Sequence, residues 1–385
     1  MTSETETWIS RPEAEALLGV KSQTLYAYVS RGHLAARPDP ANPRRSLYSS
    51  RDLQRLADHS SPRPVRTTVD RASDVRISSG LTRVEDGAVL YRGRDAVDLA
   101  EEATLEQAAR LVWGAGEDDP FADQRPRVDV IFPGGPRTRA FACLARRADE
   151  DGTTAGRAPT SLRRESAAIL NELVDAIAGP GPRLHLHQRL ARAWKVADRD
   201  AQLIRRAMIL SIDHEPDASV LATRIAAGAG AALSASVLAG LAAFSGPELG
   251  GRLAQVTGFV MEARRTDART TCRNRLAEGL DLPGFEPGGA GQADPRARAL
   301  IAAAQLPEPL ADIVHVGESL TGRPPTFDMA LALSTRRLEL PRDAAFAILA
   351  IGRTVGWLAH AMEQARSGSP FQPRLRYVEA GPARD

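Results

Sequence analysis

Polar side chains interrupt apolar helical patterns at four places in the second half of the sequence. Carboxylate, imidazole and guanidinium groups transfer protons and bind anions, so these places are candidates for a ligand or catalytic site. Each also has an ordinary structural explanation: a core histidine at His214, an N-cap at Asp294 or Asp328, or an internal ion pair on the last helix. The four segments are MILSIDHEPDAS (208–219), GLDLPGFEPGGAGQADPRARAL (279–300), RPPTFDMALAL (323–333) and GRTVGWLAHAMEQ (352–364).

The elements that must position these segments are predicted to be mostly helices, which makes the body of the chain mainly α. A short extended segment at 87–91 precedes a predicted helix at 95–113, and 118–158 is predicted to be a polar insertion. The charge-free run 225–247 has 23 residues, enough to span a bilayer, but its Ala, Gly and Ser content favours a buried helix. Further helices are predicted at 162–177, 184–196, 200–211, 219–244, 251–264, 294–304, 309–320, 328–335 and 343–364.

Six motifs in matching order and spacing resemble the citrate synthase family across residues 75–381. They are the four segments above together with VLYRGRDAVDLAEEATLEQAARLVWG near the front and QPRLRYVEAGP at the end. The resemblance implies a helical homodimer with a large and a small domain, and an active site in a cleft that the partner subunit completes. It also implies that the Ala/Gly-rich helix at 225–244 belongs to the subunit interface.

The family reaction condenses acetyl-CoA with oxaloacetate. A carboxylate removes an α-proton from the thioester while a histidine donates a hydrogen bond to the developing enolate oxygen. A second histidine polarises the keto group, and arginines bind the two carboxylates of the oxo acid. The resemblance implies no bound cofactor, and acetyl-CoA or another acyl-CoA would be a co-substrate.

Four family residues are recognisable in this chain by position. Asp328 matches the proton-abstracting carboxylate, and His214 in DHEPDAS matches the oxo-acid-binding histidine. Arg296 in DPR and Arg353 in GRTVGW match two of the carboxylate-binding arginines. Asp217 stands where the family motif has Asn.

Three other family residues are replaced. The family's Gly-Pro-x-His-Gly-Gly reads Gly-Pro-Glu-Leu-Gly-Gly here, so Leu249 replaces the enolate-stabilising histidine. Pro287 replaces the keto-polarising histidine, and Gln372 replaces a third carboxylate-binding arginine. Because losing one oxyanion donor typically costs about 10²–10³ in rate, the replacements predict a weakened condensation site.

Together with the N-terminal segment, these replacements favour a DNA-binding regulator or a ligand-sensing pseudoenzyme that still binds an oxo acid or dicarboxylate. The alternative is a working acyltransferase that condenses acetyl-CoA or another acyl-CoA with a 2-oxo acid. In that case Glu248 or Glu286, if neutral, would donate in place of a lost histidine. A third interpretation is that the body is only a dimerisation scaffold.

The first 58 residues predict a separate winged helix-turn-helix domain. Its first helix should bury Ala14, Leu17 and Leu18, and the sequence resembles MerR-type and excisionase-type proteins in TLYAYVSRG and RRSLY. Residues 21–56 hold seven basic and two acidic residues, which favours DNA over a protein partner. The residues expected to contact DNA are Ser22, Gln23, Thr24, Tyr26, Arg44 and Arg45.

Composition agrees with a folded chain of several domains. Of 385 residues, 43% are hydrophobic and 25% charged, and 50 basic residues nearly balance 48 acidic ones. Two cysteines and a polar N-terminal segment predict a cytoplasmic protein that is neither secreted nor bound to a membrane. No metal site is predicted, because His185 and His187 lack companion ligands. The predicted divisions are the domain at 1–58, a linker at 59–75, and a body at 76–385 with a small subdomain at 250–350.

Overall fold

The chain forms two compact units, residues 1–77 and residues 78–385. The predicted linker at 59–75 lies outside the described residues, so its bounds stay a prediction. The computed structural model describes residues 8–18, 22–30, 34–39, 42–50, 52–53, 77–85, 87–122, 124, 131–179, 181–182, 184–214, 216–286, 293–368 and 371.

The first unit combines two short helices with a three-stranded antiparallel sheet of order β1-β3-β2. The hairpin of β2 and β3 turns where Asp39 faces Asn42, at the place predicted for a wing. Leu17 does not join the predicted core, since it is 46% exposed while Ala14 is fully buried. A unit this small buries only a small share of its surface, so only a narrow strip of the first helix lies against its core. The elements are β1 (Trp8–Ser10), α1 (Arg11–Leu18), α2 (Ser22–Ser30), β2 (Ala36–Asp39) and β3 (Asn42–Ser49).

The second unit is mainly helical and begins with a small antiparallel sheet. The sheet has the order β4-β5-β6, with strands β4 (Thr82–Glu85), β5 (Ala88–Tyr91) and β6 (Arg94–Asp95). The helices are α3 (Ala96–Glu102), α4 (Leu105–Val112), α5 (Pro136–Glu150), α6 (Pro159–Ala178), α7 (Leu186–Ala193), α8 (Asp198–Leu210), α9 (Ala218–Gly228), α10 (Leu233–Phe244), α11 (Gly250–Arg265), α12 (Ala268–Ala277), α13 (Pro295–Ala304), α14 (Glu308–Thr321), α15 (Phe327–Arg337) and α16 (Ala344–Ser367).

Two helices predicted as continuous are each divided. The 95–113 helix breaks before Thr104, whose side chain accepts from the Gln107 backbone while the Gln107 side chain accepts from the Thr104 backbone. This capping box ends one helix and starts the next. The 219–244 helix breaks at Gly230, which has a φ of +81°, a conformation that glycine adopts without strain.

Two helices were not predicted. Helix α5 lies inside the segment predicted to be a polar insertion, and it buries Ala140, Cys143 and Leu144 against the body. Helix α12 begins after Asp267, whose side chain accepts from the backbone of Thr270 as an N-cap. Both helices carry many arginines, which hid their apolar sides from a search for apolar periodicity.

The second unit has two clusters of buried apolar side chains. The larger surrounds α16, which is apolar on all sides and buried over most of its length. Among the described helices α16 is the one long and apolar enough to cross a membrane, yet 94% of its most apolar window is buried inside the body, as in a core helix. The smaller cluster spans Val256 to Leu333 and includes Phe259, Phe285 and Met329.

Candidate functional site

A cavity of about 260 Å³ contains the four recognised residues and one replaced position. His214 follows α8, Arg353 lies on α16, Arg296 begins α13, and Asp328 lies in the first turn of α15. Leu249 lines the same cavity at the start of α11. Helices that contribute to both apolar clusters converge on this cavity.

The segment 208–214 reaches the cavity because α16 packs directly on it. A Cβ added at Gly352 would overlap the carbonyl oxygen of Met208, and one at Gly356 would overlap the carbonyl oxygen of Ile212. Only glycine lets the two backbones approach so closely. The two glycines of the GRTVGW motif therefore set the position of Arg353 relative to the DHEPDAS segment.

Two side chains fix the backbone just before His214. The Tyr91 hydroxyl donates to the carbonyl oxygens of Leu210 at 3.3 Å and Asp213 at 3.1 Å. The Arg296 Nη1 donates to the same two oxygens at 3.3 and 3.4 Å. Burial raises the pKa of Tyr91 to about 12, so the hydroxyl keeps its proton and remains a donor.

Asp213 is the centre of a buried polar network behind the cavity. It is 3% exposed, and its carboxylate accepts from Arg353 Nη1 at 3.0 Å and from the Thr82 hydroxyl at 2.6 Å. His360 Nε2 lies 3.0 Å from its second oxygen. Burial alone would raise the pKa of Asp213, but His360 and Arg353 outweigh burial and hold this pKa well below its usual range.

Arg353 is already paired with a second carboxylate, that of Asp217. Arg353 Nη2 donates to Asp217 Oδ2 at 2.9 Å and to the Ser219 hydroxyl at 3.3 Å. The other oxygen of Asp217 caps α9, accepting from the backbone of Ser219 at 2.8 Å and of Val220 at 3.1 Å. Sequence reasoning noted the replacement of Asn by Asp here but did not predict that the carboxylate would bind Arg353.

Arg296 is also paired within the chain. Its Nε donates to Asp294 Oδ1 at 3.1 Å and its Nη2 to Asp294 Oδ2 at 2.8 Å. Burial would raise the pKa of Asp294, but the guanidinium of Arg296 lowers it below its usual range. Both recognised arginines are therefore paired with carboxylates of this chain.

A second side of the cavity lining, formed by the start of α11, by Glu286 and by the first turn of α15, holds a different set of groups. Asp328 lies here with Arg252, Glu286 and Leu249. Removal from water raises the pKa of Asp328 to about 6, with Glu286 adding to the rise and Arg252 opposing it. Arg252 was missed by sequence reasoning, although it follows the altered Gly-Gly motif directly. Its guanidinium has no hydrogen bond or ion pair with any residue that the structure describes.

His214 is neutral at physiological pH. Burial, followed by the positive charge of Arg296, lowers its pKa to about 4. A neutral imidazole can donate one hydrogen bond to a carbonyl oxygen and accept another. This suits contact with an uncharged keto group better than it suits pairing with an anion.

Four further positions singled out in the sequence are either placed differently from one another or lie outside the described residues. Glu248 is exposed and is not among the residues that line the cavity, whereas Glu286 lines it. Pro287 and Gln372 lie outside the described residues. Of the two proposed substitute donors, Glu286 is therefore the one in position.

The ion pair predicted within the last helix does not form. Arg353 binds Asp213 and Asp217, while Glu363 pairs with Arg224 of α9. Arg224 Nε also donates to His360 Nδ1 at 3.1 Å. The three polar residues of α16 share one side of the helix, but their partners come from other elements.

The residues predicted to contact DNA lie on or near α2 and β3. The Ser22 hydroxyl donates to Glu15 at 2.6 Å, so it serves a contact within the unit. Tyr26 is 51% exposed and its hydroxyl accepts from Arg11 at 3.3 Å, and Arg45 is exposed. The side chains of Gln23, Thr24 and Arg44 lie outside the described residues.

Comparisons with known proteins agree with the fold. The family model "Citrate synthase, C-terminal domain" matches residues 148–374. A Mycobacterium tuberculosis protein named "Putative citrate synthase 2" is 29% identical over 338 residues, which cover 77% of this chain and 88% of the relative.

Two solved structures extend the likeness to three dimensions. Citrate synthase from Thermotoga maritima has a TM-score of 0.66 at 20% identity, covering 81% of this chain and 96% of the other. Citrate synthase from Thermoplasma acidophilum, solved as a ternary complex with carboxymethyl coenzyme A and oxaloacetate, has a TM-score of 0.63 at 18% identity, with coverage of 81% and 96%. At these identities the likeness shows a shared fold.

Proposed function

Since this chain belongs to the citrate synthase family, we propose that it is a ligand-binding member whose condensation site is degraded and whose N-terminal unit binds DNA. The observation that carries the proposal is Leu249, which lines the cavity with Asp328 where the family motif has a histidine. Leucine has no donor for an enolate oxygen. A base without that donor loses the stabilisation on which proton abstraction from a thioester depends.

The ligand we propose is a small 2-oxo acid or dicarboxylate. His214 would contact the keto oxygen as a neutral imidazole, and the positive charges of Arg296 and Arg353 would attract a carboxylate. Binding can persist where catalysis is lost, because ground-state contacts do not require donors at the reacting atoms. No metal or resident cofactor enters this proposal.

Release of CoA by the purified protein tests the loss of condensation. Acetyl-CoA or propionyl-CoA is mixed with several 2-oxo acids, and free thiol is followed with time. We expect no enzyme-dependent release from the wild type, and slow release from Leu249→His if the missing donor is the main defect. Wild-type turnover at the rate of an ordinary citrate synthase would refute the degraded site.

An active acyltransferase is the second candidate, and one observation favours it. Glu286 lines the cavity with Asp328, and the pKa of Asp328 is raised to about 6, which suits a general base near neutral pH. In that case Glu286→Gln should alter the pH dependence of CoA release. This candidate requires turnover in the wild type, so the same assay separates the two.

The proposed regulator is a cytoplasmic homodimer that binds DNA through a winged helix-turn-helix. Support comes from the two helices and hairpin of the first unit and from the exposed Arg45 and Tyr26. Binding of a labelled duplex by the full chain, with Arg44→Ala and Arg45→Ala as variants, tests it. The variants should bind more weakly on all sequences and with a smaller dependence on salt, because these arginines are assigned to phosphates. Wild-type protein without affinity for DNA at low salt would contradict the regulator.

A further inference from the structure

Resting on the proposed ligand-binding function, we infer that Asp217 makes this cavity selective for 2-oxo acids with one carboxylate over those with two, and that Arg252 binds that carboxylate. Three arginines line the cavity, and two of them, Arg296 and Arg353, are paired with carboxylates of this chain. The third, Arg252, has no such partner among the described residues, so its guanidinium is the one available to a ligand.

Arg353 has little capacity left for a ligand. One terminal nitrogen binds Asp213, and the other binds Asp217 and Ser219. The residue is 5% exposed, and its Nε is buried without a hydrogen-bond partner among the described residues. A second carboxylate would have to displace Asp217 from a charge-assisted bond of 2.9 Å.

Arg296 is limited in the same way. Asp294 binds it through both oxygens, and its Nη1 is directed to the backbone of Leu210 and Asp213. These bonds hold the 210–213 backbone in place, so releasing them for a ligand would disturb the segment that carries His214. Arg296 is therefore a positioning residue as well as a charge near the ligand.

Arg252 is the lining arginine that differs from these two. It is exposed, and its guanidinium forms no ion pair or hydrogen bond with a residue described in the structure. It faces the side of the cavity that also carries Asp328, whose pKa its charge lowers against the larger effect of burial. A single unpaired guanidinium can bind one carboxylate in bidentate geometry.

The charge balance of the cavity also opposes a dianion. Three guanidinium groups, those of Arg252, Arg296 and Arg353, face or adjoin four carboxylates besides Asp328. Those carboxylates belong to Asp213, Asp217, Glu286 and Asp294. Because Asp217 and Asp294 already pair with Arg353 and Arg296, the second carboxylate of a dianion finds no further unpaired lining guanidinium and meets repulsion from Asp217 and Glu286.

Asp217 can be neutralised without losing its structural role. Its Oδ1 caps α9 and its Oδ2 binds Arg353, so Asn at this position keeps the capping oxygen and removes the charge. Asn and Asp are about equally favourable as N-caps. Asp217→Asn therefore changes the charge at Arg353 while leaving the helix start intact.

Calorimetric titration with two matched probes tests the inference on the full-length protein. The probes are 2-oxobutanoate and oxaloacetate, which share four carbons and differ in the terminal group. We expect wild type to bind 2-oxobutanoate about tenfold more tightly than oxaloacetate, and Asp217→Asn to improve oxaloacetate binding about tenfold. Arg252→Ala should weaken 2-oxobutanoate binding about tenfold without altering the melting temperature.

The outcomes separate the inference from the function on which it rests. If wild type binds both probes equally, or if Asp217→Asn leaves their ratio unchanged, the selectivity inference is wrong and the ligand-binding function stands. If neither probe binds to wild type or to Asp217→Asn at millimolar concentration, the ligand-binding function itself fails. Should Asp217→Asn not fold, the wild-type ratio and the Arg252→Ala variant still decide the inference.

Discussion

The two sides of the cavity differ in how firmly the protein holds them. On one side, Arg353 and Arg296 are buried and bonded to Asp213, Asp217 and Asp294. On the other side, Arg252 is exposed and unpaired among the described residues, and it shares the space with Asp328, Glu286 and Leu249. The firmly held side keeps the two family arginines, whereas the loosely held side keeps Asp328 but contains the replacement at Leu249.

A motif residue can therefore be kept because it stabilises the fold, even where the family reaction is lost. Asp213 and Arg353 stabilise a network that reaches His360 and Thr82, so their loss would damage the fold even without any substrate. Leu249 contacts the apolar core at its edge and faces the cavity, where a change of residue alters chemistry more than stability. The buried ion pairs of the firmly held side thus mainly stabilise the fold, whereas the residue at position 249 mainly affects the chemistry of the cavity.

The largest predicted effect on stability is the difference between removing an arginine from the firmly held side and removing one from the loosely held side. Arg353→Ala leaves the carboxylate of Asp213 buried with less compensation, so it should lower the free energy of unfolding by about 3–5 kcal/mol. Arg252→Ala should change it by less than about 0.5 kcal/mol, because the side chain is exposed. Urea unfolding followed by tryptophan fluorescence measures both. Equal losses from the two substitutions would show that the sides are held alike.

A smaller effect is expected from a methyl group added to each of two helical glycines. Gly356→Ala would overlap the Ile212 carbonyl oxygen and should cost about 2–3 kcal/mol, since backbone must move. Gly258→Ala in α11 meets no atom within 4 Å and should stabilise the protein by up to about 1 kcal/mol, as alanine favours helix. Melting temperatures of the two variants should therefore shift in opposite directions. A neutral Gly356→Ala would contradict the close approach of α16 to the 208–214 segment.

The smallest predicted effect is a difference in how the stability contributions of Asp328 and His214 change with pH. The pKa of Asp328 is raised from 3.8 to about 6, so its contribution to stability falls as pH rises through this window. The pKa of His214 is lowered from 6.5 to about 4, so its contribution rises with pH from about 4 to 6.5. Asp328→Asn removes the first contribution only. The unfolding free energy of Asp328→Asn minus that of wild type should therefore be larger at pH 7 than at pH 4.5 by about 1 kcal/mol.

Unfolding free energies of wild type and Asp328→Asn at the two pH values give this difference directly. The stated value is below the full shift because Asp328 is only partly buried. If both proteins show the same change with pH, Asp328 does not titrate within the window, and its environment is more polar than the cavity geometry indicates.

The mainly helical fold class, the motifs and most helices could be predicted from the amino-acid sequence alone. Helical spacing and motif order depend on neighbouring residues, so the segments that carry His214, Arg296, Asp328 and Arg353 could be identified without coordinates. The division of the predicted 95–113 helix was missed for a local reason. The capping box at Thr104 was visible in the sequence, but the apolar spacing continued across it. The family comparison confirms the citrate synthase fold that the motifs predicted.

The pairing of charged side chains could not be predicted in this way, because it depends on the tertiary structure. Asp217 and Arg353 are 136 positions apart, and Asp213 and His360 are 147 apart, so no local pattern links them. The same holds for Glu286, which lines the cavity, and Glu248, which does not, although both adjoin replaced histidine positions. Which side chain enters the cavity depends on how helices from two apolar clusters pack, and packing is a property of the whole body rather than of any one segment.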